Sequence, residues 1–380
     1  MFINRKCNIV CGDSAVSFQL EALILKSYTL FRHSGQSRQF FSGIPAEKVR
    51  RHVGKEEFSM KKYAPVLAML LFFAFFAKTS EAKTFLSIAT GGTGGTYYPL
   101  GRGIAEILNR YLEDIQVTVE TGNASVANIN LIGAHQVEMA FAQNDIAYWG
   151  AKGMKPFREA HGNIRVVASL YPEHVHCFTR KNSGVRDIAD IRGKRVSVGA
   201  PGSGVQGDVS AILDIAGLKF ADLKAEFLDF NTTTQRFKDA QIDVGFVVAG
   251  YPTSSVLDLA QMTEIDMVSF NDAFMTALTE KYPFFVKSVI PAGTYRGMLR
   301  DVATPAVLAL LVCDAKLPDS VVYSVTKTLW THADELYKVH EKAKLLSLKN
   351  ALRGISVPVH PGAARFYIES GMKPPELMKD

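Results

Sequence analysis

From Lys83 onward, apolar and polar positions follow two periods in turn. Short runs rich in β-branched and apolar residues, at 85–89, 116–120 and 137–142, alternate with stretches whose apolar residues recur every three or four positions. The first kind predicts strands and the second amphipathic helices, as with Val126, Ile129, Leu131 and Ile132 on one side of a helix. Residues 164–170 predict the strand that closes a first set of these units, and 174–180 an extended lead into a second. In the second set, strands at 194–198, 225–230 and 242–248 flank helices at 205–216 and from Thr253. Beyond Pro291 the apolar run 302–312 predicts a buried strand that returns to the first set, and helices at 321–338 and 362–370 finish the chain. Regular β-α alternation predicts an α/β fold, and 380 residues suit two domains.

The loops between these elements carry the most specific signal. Phe85, Leu86, Ile88 and Ala89 run into Thr90-Gly91-Gly92-Thr93-Gly94-Gly95 and then into a helix expected to open at Pro99. Glycines let a backbone approach a ligand closely, and the helix start offers unpaired N–H groups and a positive dipole end, which suit a carboxylate. Thr93, Thr96 and Tyr97 add hydroxyls. The spacing fits neither a dinucleotide fingerprint nor a phosphate loop. A second glycine loop, Gly199-Ala200-Pro201-Gly202-Ser203-Gly204, repeats the device in the second half, and a tight turn without a ligand is the alternative for each.

Residues 60–82 interrupt this picture. Met60-Lys61-Lys62, an apolar run over 63–77, and Ser80 and Ala82 around Glu81 have the three parts of a secretory signal peptide, with cleavage expected after Ala82. About 15 apolar residues fall short of the roughly 20 that span a bilayer. A signal peptide starting at residue 60 makes 1–59 an expected non-native extension upstream of the true start. Lys55-Glu56-Glu57 must be encoded by a purine run, placed where a ribosome-binding site would lie. Charge agrees with this division. The net charge of +6 comes from residues 1–82, which hold 12 Lys/Arg against 6 Asp/Glu and leave 31 of each in 83–380, so no nucleic-acid partner is expected. Of four cysteines, Cys7 and Cys11 fall in that region, and Cys177 and Cys313 are expected as free thiols.

An enzyme needs a nucleophile, a base or a metal set, and the candidates are weak. His174 and His176 share a strand face beside Cys177 without a nearby acidic or thiol companion, so no metal is expected, and His176 is placed near the cleft in a hinge. Asp145 and Asp208 could pair as catalytic carboxylates, although Asp145 also suits a helix cap and Asp208 is expected to face solvent. Ser203 stands in G-S-G, which is not a nucleophile elbow. Arg102, Arg110, Arg192 and Arg195 are expected at the surface rather than on a ligand.

In order and spacing, TGGTGGTYYPLG, TGNASVAN, FAQNDIAY, ASLYPEHVHC, VSVGAPGSG, QIDVGFVVAGYP, KYPFFV, IPAGTY and NALRGISVPVHPGAARFYIESG resemble the TAXI-type solute-binding proteins of TRAP transporters, over about residues 84–373. The resemblance implies a two-lobe, type II periplasmic-binding-protein-like α/β clamshell. Lobe I would take 83–175 plus 291–380 and lobe II 176–290, with crossovers near 171–177 and 287–291. It implies a periplasmic receptor, not an enzyme, which needs no cofactor. Such a receptor binds a small carboxylate, a glutamate-like amino acid or an organic acid, and hands it to TRAP membrane permease subunits, separate or fused. The site carried over comprises Gly95, Thr96, Tyr97, Asn123, Ser125, Asn144, Asp145, Gly202, Ser203, Gly204, Gly250 and Tyr251. Val205, where the family has Thr or Ser, and Gly245-Phe246, where it has Phe-Phe, are expected at the cleft wall and would suit a more apolar ligand. An extracytoplasmic sensor that serves a membrane histidine kinase would share such a site.

Overall fold

Pairing of the strands shows how the sequence's two sets of β-α units are joined. The computed structural model describes residues 83–375; the expected extension, the signal peptide, Cys7 and Cys11 lie outside the described residues. In the first set come β1 (Thr84–Ala89), α1 (Tyr97–Tyr111), β2 (Ile115–Glu120), α2 (Ser125–Gly133), β3 (Met139–Gln143) and α3 (Asn144–Lys152), leading to β4 (Ile164–Arg180). The second holds β5 (Arg195–Ser197), α4 (Gly204–Ile215), β6 (Lys224–Glu226), α5 (Phe230–Lys238), β7 (Val244–Ala249) and α6 (Ser254–Met262). It continues through β8 (Ile265–Met267), α7 (Asp272–Lys281) and β9 (Val286–Ile290) to β10 (Val302–Asp314), after which come α8 (Asp319–Thr331) and α9 (Pro361–Glu369).

The sheet order is β2-β1-β3-β10-β4-β7-β5-β6, with β8 on β4 and β9 on β10. Read from its outer edge inward, each half has the same order: two parallel pairs, β2-β1-β3 or β6-β5-β7, then one antiparallel strand that arrives from the other half. Those strands are β10 and β4, which also pair with each other. Two α/β lobes joined by two long antiparallel strands form the type II periplasmic-binding-protein clamshell. Four apolar clusters, two to each half, bury both faces of the sheet.

Several elements depart from their sequence expectations for physical reasons. Residues 164–180 form one strand, because β4 absorbs Pro172 at a place where it runs in irregular register against β10. Residues 287–291, expected as a crossover, belong largely to β9, which is hydrogen-bonded along the start of β10; β10 itself carries the chain back. α1 begins at Tyr97, two residues before Pro99. The helix expected at 321–338 breaks at His332, whose ring stacks on Tyr111 at 3.6 Å, and continues as a 3-10 turn, Ala333–Lys338. The strand expected through Phe230 stops at Glu226, and Phe230 opens α5.

Candidate functional site

Loops at the carboxyl ends of parallel strands from both lobes meet around a cleft of about 70 Å³, the usual ligand position in open α/β sheets. Of the twelve residues carried over by resemblance, Gly95, Thr96, Tyr97, Asn123, Ser125, Ser203 and Gly204 line it. The helices that start there are unusual in one respect. The N-caps of α1, α2 and α4 are Thr96, Ala124 and Ser203, and none of them caps its helix through a side chain. Thr96 Oγ1 instead donates to the Gly250 carbonyl at 3.1 Å. Ser203 Oγ donates to Ala200 O at 2.7 Å. Three helix starts therefore face the cleft with amides that no side chain takes, a donor array suited to an anionic group.

The remaining five predicted residues stand behind or beside the lining. Asn144 receives the Leu308 amide at 3.1 Å and donates to Gly354 O at 3.3 Å, which ties α3 to β10 and the C-terminal segment. Gly202 gives its carbonyl to the Ala127 amide of α2 at 2.9 Å, a bond between the lobes. Gly250 accepts from Thr96. Tyr251 lies edge-on to His174, with centroids 4.5 Å apart, and under the Lys342 ammonium, 3.0 Å from its centroid. Asp145 is fully buried in contact with Asp208.

Three expectations about neighbouring residues need correction. Asp208 does not face solvent; it is fully buried and accepts from Gln143 Nε2 at 2.7 Å. His176 points away from the cleft, bonded through Nε2 to the Tyr295 hydroxyl at 2.9 Å. Gly245-Phe246 is core rather than cleft wall. A Cβ at Gly245 would stand 2.3 Å from the Phe178 ring, and Phe246 packs in an apolar cluster of the second lobe. Val205 does line the cleft. Arg192 and Arg195 pair at the surface with Asp222 and Asp243, at 2.7 and 2.5 Å.

Sequence reasoning missed Gln143, Glu173, Asp229, Phe230 and Asn231, which also line the cleft. Glu173 is 2 % exposed, and its carboxyl accepts from Tyr97 OH at 2.7 Å. Burial, helped by the nearby Asp145, pushes Glu173 up to about 8. Burial also raises Asp145 and Asp208, and the neighbouring Asp145 carboxyl raises Asp208 further, so the pair tends to retain a proton. The lone acid within residues 164–180 was the available sign of Glu173. No group of three or more His, Cys, Asp or Glu among the described residues is arranged to hold a metal ion.

Among solved structures, the chain is similar to the periplasmic aliphatic sulphonate binding protein SsuA from Escherichia coli, at 13% identity and TM-score 0.43, over 77% of this chain and 85% of that one. It is also similar to PhnD1 from Prochlorococcus marinus in complex with methylphosphonate, at 11% identity and TM-score 0.46, over 68% and 90%. A putative L-cystine ABC transporter from Listeria monocytogenes matches at 14% identity and TM-score 0.42, over 70% and 98%. The profile of one protein family spans the first glycine loop, the cleft and the C-terminal helix together, residues 88–371, and the chain belongs to that NMT1-like family.

Proposed function

We propose that this protein is a periplasmic solute receptor that binds a small carboxylate and delivers it to the membrane subunits of a TRAP transporter, without catalysing a reaction. The observation that carries this reading is the convergence of three helix starts without side-chain caps, from both lobes, on one cleft. Amides in that arrangement bind an anion with fixed dipoles, and closing two lobes around it gives a permease one conformation to recognise. The signal-peptide pattern at 60–82 supports export, and the motif order supports the TRAP assignment over an ABC permease. The cleft side chains include carboxyls, hydroxyls and amides, and burial keeps protonated the Glu173 carboxyl that meets the Tyr97 hydroxyl, which favours binding over turnover.

A thermal-shift screen of organic and amino acids on protein starting at Lys83 tests the binding role, since a ligand at 100 times its dissociation constant adds about 2.7 kcal/mol. The transport role is tested by reconstituting the protein with TRAP permease subunits in vesicles. Uptake of the stabilising acid that depends on this protein supports the reading, and binding without uptake removes the transporter assignment.

A further inference from the structure

The Gln143 side chain ends β3 at the cleft and is 2 % exposed. Its surroundings fix which way the amide faces. Nε2 donates to Asp208 Oδ2 at 2.7 Å, while Oε1 has no partner. Asp208 Oδ1 and both Asp145 carboxyl oxygens also have no hydrogen-bond partner, and burial together with the Asp145 charge raises Asp208, consistent with one proton held by the two acids. With that proton on the side of Asp208 that faces Asp145, Oδ2 is left as an acceptor, and only the N–H side of Gln143 can satisfy it. Oε1 must then face the other way. There it lies against Gly204, close enough that a Cβ on that residue would stand 1.6 Å from it, and a Cβ would also stand 3.0 Å from Ser125 Oγ. Gly204 and Ser125 both line the cleft.

A buried carbonyl oxygen without a donor costs about 1–3 kcal/mol. Among the described residues nothing donates to Oε1: the lining holds no lysine, arginine or histidine, and the nearby Ser125 hydroxyl oxygen instead receives the Gln143 backbone amide at 3.2 Å. A ligand that carries an N–H or O–H group can supply the missing donor. Resting on the receptor reading above, we infer that Gln143 is a specificity-determining residue whose Oε1 accepts a hydrogen bond from an N–H or O–H group of the ligand, so that the site takes amino or hydroxy carboxylates in preference to plain ones. Asp208 is its positioning residue: it never touches the ligand and acts by holding the amide in one orientation. Ammonium is the favoured donor, since the Asp229 carboxyl of the lining, held below its ordinary value by bonds from the start of α5, attracts a positive group.

The test is calorimetry on protein starting at Lys83 with matched acids of several chain lengths: alanine and propionate, aspartate, malate and succinate, glutamate, 2-hydroxyglutarate and glutarate. The donor-bearing member of the preferred length should bind roughly 10- to 150-fold more tightly than its plain partner. Gln143→Met should erase that ratio. Asp208→Asn, which offers an N–H to Oε1 and lets the amide turn over, should shrink the ratio at unchanged melting temperature, which a merely structural role would not do. Equal binding of plain and donor-bearing acids by the native protein overturns the inference and leaves the carboxylate receptor standing. Failure of every acid to bind overturns both. If Gln143→Met does not fold, the ratio in the native protein decides alone.

Discussion

The hydroxyl of Thr96 donates to the carbonyl of Gly250 at 3.1 Å, and in doing so it joins the two lobes. Thr96 stands at the start of α1 in the first lobe, and Gly250 follows β7 in the second. Two further bonds cross at the same place: Thr253 Oγ1 and the Ser255 amide both reach the Gly94 carbonyl, each at 3.2 Å. The glycine loop is thus part of the contact between the lobes. Its Gly94 carbonyl takes donors from the opposite lobe, while the Gly95 amide turns back on the Gly92 carbonyl at 3.2 Å and shapes the loop.

Thr96→Val should therefore act on closure rather than on a direct ligand contact. Losing one neutral hydrogen bond costs about 0.5–1.5 kcal/mol, or a roughly 2- to 13-fold weaker affinity, if the bond forms only in the closed form. The melting temperature of the open, unliganded protein should hardly move. A conformational readout, such as distance labels on the two lobes, should show a larger open fraction. Unchanged closure together with weaker binding would return the hydroxyl to the ligand, where the sequence had placed it.

That difference marks where the sequence stops being informative. Glycine loops, strand ends and helix starts are local features, and β1, α1, β5 and α4 lie within a few residues of where the pattern puts them. What a side chain meets across the cleft is not local. Ser203 and Thr96 have the chemistry of ligand contacts, yet one bonds its own loop and the other the opposite lobe. Asp208 sits on an amphipathic helix at a position that a solvent-facing residue could equally occupy, and only the docking of α4 on α3 buries it against Asp145. Gln143 carries no motif of its own; its role depends on Asp208, 65 residues further along the chain.

Gly204→Ala should weaken ligand binding by 10-fold or more, by roughly the same measure as the loss of a charged hydrogen bond. The reason is contact and not backbone freedom, because Gly204 is absent from the positive-φ glycines, unlike Gly199 and Gly202 at φ 91 and 81. Its Cβ would stand 1.6 Å from Gln143 Oε1, so the lobes could not close as far. Arg195→Ala, which breaks a surface ion pair with Asp243, should leave the affinity alone. The reverse pattern in calorimetry would move the anion site from the glycine loop to the arginines.

Cys177 and Cys313 are both buried free thiols at opposite ends of β4: Cys177 pairs with Phe246 of β7 there, and Cys313 of β10 with Arg165. Burial raises both thiols, which suppresses the reactive thiolate. Native protein starting at Lys83 should resist alkylation, and denatured protein should take two labels without reductant. Fewer than two labels after denaturation would indicate a disulfide that this strand pairing forbids.

Glu173 makes stability depend on pH in a direction that can be worked out. Its carboxyl titrates near its ordinary 4.5 in the unfolded chain and near about 8 in the folded one, chiefly because it is buried. Between those values the folded protein keeps a proton that the unfolded chain releases. The contribution is complete below the unfolded value and is lost as pH rises through the folded one. His174 and His176, both lowered by burial, work in the opposite sense on the acid side, so the native curve alone would mix the effects. Glu173→Gln separates them: it keeps an acceptor for the Tyr97 hydroxyl, which now donates at 2.7 Å, and removes the titration. The variant should gain stability relative to the native protein as pH rises from about 5 to about 9, because only the native protein must then bury a carboxylate or take up a proton. Melting curves of the two proteins across that range decide it. Parallel curves would mean that Glu173 is ionised in the folded state at neutral pH, and the acid-lined cleft would then carry a fixed negative charge.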